Sequence, residues 1–91
     1  MRDGTYKTDA EAGFFPVYTD KGYWVAFEET TPQDMNEGEY LGVWTDPKTN
    51  KIYYDKTVFF SDLTEAMTFA KLYNQIAIWD NSKQEAIYVE A

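Results

Sequence analysis

The sequence predicts an α+β domain: an antiparallel-rich sheet of about six short strands packed on one amphipathic helix. Three observations predict it. The stretch from Tyr40 to Gln75 holds two strand-like runs about a polar turn, then a capped helical pattern. Alternating runs on either side of that stretch read as further strands. Ninety-one residues allow one hydrophobic core, because a chain this size buries roughly 60–65% of its unfolded surface. The element order is β-β-β-β-α-β-β.

Residues 1–13 carry one aromatic, Tyr6, and no periodicity, so they read as a flexible N-terminal arm, with the single α+β domain spanning 14–91. Phe14 to Tyr18 and Tyr23 to Glu29 read as a hairpin about Thr19-Asp20-Lys21-Gly22, where Gly22 supplies a positive φ. Pro16 cannot donate to a ladder and puts the first strand at an edge. On the second strand Tyr23, Val25, Phe27 and Glu29 form the better core face, with Trp24 opposite. Thr30 to Glu39 is a loop.

Tyr40 to Thr45 is the third strand and Lys51 to Phe59 the fourth. Asp46-Pro47-Lys48-Thr49-Asn50 turns between them: Pro47 pre-sets φ, Asp46 accepts backbone N–H groups, and Asn50 tolerates the left-handed region. Leu41, Val43, Ile52 and Val58 are expected to face the core, leaving Tyr40, Trp44 and Tyr53 on the other side. Ser61 is the expected N-cap of the helix, with Asp62 and Glu65 in its first turn, where the dipole favours acids. Leu63, Ala66, Met67, Ala70, Tyr73 and Asn74 form its stripe, and Asn74 closes it. Ile76 to Asp80 reads as a central strand with both faces buried, and Asn81-Ser82-Lys83-Gln84 turns into a last strand, Glu85 to Glu90.

Composition narrows the function classes. Sixteen acids against eight bases give a net charge of −8, which disfavours direct nucleic-acid binding and an anionic membrane surface. The same charge serves either solubility or docking on a basic partner. There is no Cys and no His, so the commonest metal ligands and the commonest general base are missing together. No apolar run approaches the ~20 residues of a membrane span, and Met1-Arg2-Asp3-Gly4 begins no recognisable signal peptide.

Two residue sets are candidates for contact. Glu28, Glu29, Asp34, Glu37 and Glu39 form a run of five acids without a base, an acidic docking surface or a solvated loop. Tyr40, Trp44 and Tyr53 form an aromatic contact face or ordinary cross-strand packing. Eight Tyr, six Phe and three Trp exceed what so small a core readily absorbs, so some rings belong at the surface, where they suit a partner or a homodimer.

No motif carries catalysis. Asp46, Asp55 and Asp80 sit at strand ends or turns, where a carboxylate pair for glycoside hydrolysis is conceivable but backbone hydrogen bonding is the commoner use. There is no Gly-rich phosphate loop, and Asp34 to Glu39 falls short of EF-hand spacing. The expectation is a non-enzyme without metal or cofactor.

Gly22-Tyr23-Trp24-Val25, Gly42-Val43-Trp44-Thr45-Asp46-Pro47, Tyr54-Asp55-Lys56, Ala66 and Asn74-Gln75-Ile76-Ala77-Ile78-Trp79-Asp80 together give a pattern over the last three-quarters of the chain. It resembles small uncharacterised proteins encoded by bacteriophages, which have no established activity or site to carry over. The resemblance implies a viral origin and the host bacterial cytoplasm. By analogy with other small acidic phage proteins, it implies a binding protein that inhibits a basic host protein, for instance an anti-CRISPR-like nucleic-acid mimic blocking a defence nuclease. The alternative is a virion or assembly component acting through self-association. Trp44 and Trp79, each followed by a turn-forming Asp, also have a purely structural reading as anchors of adjacent strands.

Overall fold

The computed structural model describes residues 1–89. Seven strands and one helix follow as β1 (Gly4–Asp9), β2 (Gly13–Val17), β3 (Tyr23–Glu29), β4 (Tyr40–Thr45), β5 (Ile52–Phe60), α1 (Leu63–Leu72), β6 (Ala77–Asp80) and β7 (Glu85–Tyr88). A 3₁₀ turn, Pro32–Asp34, lies in the loop after β3. The strands hydrogen-bond in the order β2-β1-β4-β5-β3-β6-β7. The protein is thus an α+β fold with one helix on an antiparallel sheet, of seven strands rather than about six.

The additional strand is β1, in the stretch read above as a flexible arm. That reading is corrected. Its side chains, Thr5, Lys7, Thr8 and Asp9 among them, give no apolar alternation, yet its backbone pairs with β2 on one side and β4 on the other. Main-chain pairing on both edges is invisible to a hydrophobic pattern. The hairpin expected between Phe14–Tyr18 and Tyr23–Glu29 does not form either. β2 pairs with β1 and is an edge strand, as Pro16 requires, while β3 pairs with β6. The turn that wins is the one after β1, where Asp9 Oδ1 accepts the N–H groups of Glu11 and Ala12, both at 2.9 Å. Those bonds hold the Asp9 carboxyl below its ordinary pKa.

Contacts divide the chain into two compact units, residues 1–18 with 28–57, and residues 19–27 with the chain from Val58 on. In the first unit Leu41 and Val43 are buried. Leu41 lies between Tyr6 of β1 and Lys56 of β5, and Val43 between Gly4 and Tyr54. The β4–β5 turn forms as its residues dictate: Asp46 Oδ1 accepts the Lys48 N–H at 2.8 Å and Asn50 adopts φ 61°. Ile52, expected in the core, is 43% exposed, because it pairs with Thr45 at the last rung beside that turn.

In the second unit Val25, Ala66, Ala70 and Ile78 form the buried cluster, ringed by Tyr23, Val58, Phe60, Met67, Phe69 and Ile87. The N-cap of α1 is Asp62, not Ser61: its Oδ2 accepts the Glu65 N–H at 2.9 Å. The Asp62-x-x-Glu65 spacing is that of a capping sequence, whereas Ser61 is one residue too early to reach the same donor. Asn74 ends the helix as expected, at φ 55°, with the Gln75 N–H donating to the Ala70 carbonyl at 2.8 Å in a Schellman arrangement.

Two face assignments in this unit change. Trp24 is buried, its Nε1–H donating to Thr19 Oγ1 at 3.1 Å and its indole meeting Phe59 edge-on at 5.3 Å, so β3 is covered on both sides there. β6 buries Ile78 but leaves Trp79 40% exposed, so it is not covered on both faces. Gly22 sits at φ 77°, and a Cβ there would collide with the Phe59 ring and lie 2.9 Å from the Phe60 carbonyl. Its small size matters as much as its φ.

Candidate functional site

The first unit brings the expected aromatic residues onto one face. Across β4 and β5, Tyr40 pairs with Thr57, Gly42 with Asp55, and Trp44 with Tyr53, so these six residues share a side of the ladder. The Trp44 and Tyr53 rings lie 5.3 Å apart at 34°, a tilted contact that holds Trp44 while leaving it 53% exposed. Tyr40 and Tyr53 are half-buried. Lys51 Nζ stands 4.8 Å from the centroid of the Tyr53 ring, where the π face attracts a cation. Lys7 of β1 lies opposite both Tyr40 and Phe15, which adds the half-exposed Phe15 to the same face.

Asp55 was not singled out as a contact residue in the sequence, yet it sits at the centre of this arrangement. Its carboxylate is half-buried and has no hydrogen bond or ion pair among the described residues. Burial raises its pKa, and the neighbouring Glu29 charge raises it further. The signal available beforehand was an acid in the middle of an aromatic strand.

The five acids of the Glu28–Glu39 run do not make one uninterrupted anionic surface. Lys56 Nζ lies 3.4 Å from Glu28 Oε2 and 3.3 Å from Glu39 Oε2, so a base from a distant part of the sequence stands among them. Glu39 also accepts the Asn36 N–H at 2.7 Å, which holds its pKa below the ordinary value, with Lys56 adding to the effect. Asp34 accepts the Thr31 hydroxyl at 3.0 Å within the 3₁₀ turn, and Glu37 is exposed. Glu28 and Glu29, adjacent in β3, project to opposite sides. Glu28 therefore reaches Lys56, while Glu29 keeps company with Asp55.

Asp46 and Asp80, weighed above as catalytic carboxylates, are engaged in turns. Asp80 Oδ1 accepts the Ser82 hydroxyl at 2.8 Å and the Ser82 N–H at 2.9 Å, which lowers its pKa. Trp44 and Trp79 precede these two turn carboxylates, one in each unit. Among the described residues no three acids are grouped to hold a metal ion, and no helix is long and apolar enough to cross a membrane. A shallow open recess along α1, lined by Phe60, Thr64, Glu65, Thr68, Phe69 and Leu72, brings no convergent polar groups together. Family models, curated proteins and solved structures offer no match to this chain.

Proposed function

We propose that this chain is a non-catalytic binding protein that docks on a basic protein through the β4–β5 face of its first unit. The observation that carries the reading is the Trp44–Tyr53 pair: a large ring, half exposed yet held by a neighbour, beside an unpaired carboxylate. Held aromatics of this kind lose little conformational freedom on binding and dominate interface energetics. The net charge of −8 favours a partner rich in Lys and Arg and speeds its approach. In the setting that the phage resemblance implies, the partner is a host protein of the bacterial cytoplasm. A nucleic-acid-handling one, such as a defence nuclease, suits an acidic blocker.

The test is retention from bacterial lysate on immobilised protein. A Lys/Arg-rich protein should be held by the wild type, released at high salt, and lost from Trp44→Ala. Retention that ignores Trp44→Ala overturns the assigned face, and nothing held at low salt overturns the docking reading.

A second reading, a virion or assembly component that self-associates, is favoured by the rings of the other unit. Trp79 and Tyr88, on neighbouring strands β6 and β7, are both exposed. Sedimentation at micromolar concentration separates the two, since a strict monomer removes self-association.

A further inference from the structure

We infer that Asp55 anchors a subsite for one arginine or lysine side chain of the partner protein, a proposal that rests on the docking reading above. Position 42 is the cross-strand neighbour of Asp55, and it is a glycine. Every other rung on that face carries a side chain at both ends: Tyr40 with Thr57, and Trp44 with Tyr53. The rung at Gly42 is therefore a notch beside the carboxylate. The nearest atoms to a Cβ built at Gly42 are the Asp55 carbonyl and the Thr57 side chain, at ordinary contact distance from 3.7 Å. One further side-chain atom fits there without a clash.

Its walls have the chemistry a cation prefers. Trp44 and Tyr53 stand one rung away and present π faces, and Lys51 already rests on Tyr53. A guanidinium could stack on the exposed Trp44 and donate to Asp55, the pairing that most strengthens a carboxylate contact. Glu29 adds a second negative charge to the same neighbourhood. Lys7 and Lys51 share the face, but neither forms an ion pair with Asp55 among the described residues. The contrast with Lys56 is instructive: one strand position away, that lysine has two carboxylates to itself, while Asp55 has no cation. A partner's basic side chain completes the set.

The experiment is an NMR titration of the intact protein at low salt with the acetylated, amidated peptide Gly-Arg-Gly. Amide shifts should concentrate at Gly42, Trp44, Tyr53 and Asp55. Asp55→Asn should weaken binding about tenfold, the loss of one charge-assisted hydrogen bond. Asp20→Asn, at an exposed turn, changes net charge equally and should leave binding near wild type. Gly42→Val keeps the carboxylate and fills the notch, so it should weaken binding as well. If Asp55→Asn and Asp20→Asn weaken the peptide alike, the subsite is overturned while general acidic docking stands. Shifts centred elsewhere, no shifts at all, or full binding by Gly42→Val also overturn it. None of these touches the lysate result on which the docking reading depends.

Discussion

Gly42 faces Asp55 across β4 and β5, and with no side chain of its own it leaves that carboxylate uncovered on one side and unpaired. Asp55 is half-buried with Glu29 nearby, so the folded protein holds its proton more tightly than the unfolded chain does. The charged form is a burden on the fold at neutral pH.

Asp55→Asn should therefore melt at a higher temperature than wild type at pH 7. The sign follows from linkage: a carboxyl whose folded pKa is raised gains stability for the fold as pH falls through that value. The gap between the variant and wild type should shrink as pH is lowered toward the ordinary value of 3.8. Thermal melts across that range check it. A variant less stable than wild type at pH 7 contradicts the account.

Trp44→Ala should cost only about 1–2 kcal/mol, since the ring is half exposed and its main contact is Tyr53. A fully buried indole would cost about 3–5 kcal/mol. Urea denaturation separates the two. The larger loss would place Trp44 in the core and remove it from any contact face.

Gly22→Ala should destabilise by about 2 kcal/mol or more, because the new methyl meets the Phe60 carbonyl in a backbone of φ 77°. Gly38→Ala is the control. Its φ is 86°, but nothing lies within 4 Å, so only the left-handed penalty of about 1 kcal/mol applies. Equal losses at the two sites would mean that the close approach at Gly22 is relieved by movement of β5.

Thr8→Val should stabilise by about 1 kcal/mol. The Thr8 hydroxyl is buried without a hydrogen-bond partner among the described residues, although its backbone bonds Glu39 and Gly38. Valine keeps the shape and removes the orphaned group. A drop in the urea midpoint would show that the hydroxyl is satisfied in solution.

What the sequence determined by itself was local. The Asp46–Asn50 turn, the left-handed Asn74 cap, the edge position forced by Pro16 and the division of β4 and β5 into two faces all follow from residue type and spacing. Those rules act within a few residues, so no distant contact can reverse them cheaply. The partners of β1, β2 and β3 were decided only in the tertiary structure. β1 joins the sheet through main-chain bonds that no side-chain pattern records, and the hairpin expected between β2 and β3 gives way to one between β1 and β2. The candidate site has the same origin. An unbroken acidic run in the sequence becomes, in space, a pair of glutamates closed by Lys56 and a Glu29 turned toward Asp55, because side chains alternate along a strand and charge balance depends on what lies across the ladder. The uncovered carboxylate exists only because register places a glycine opposite an aspartate, and register belongs to the pair of strands, not to either one.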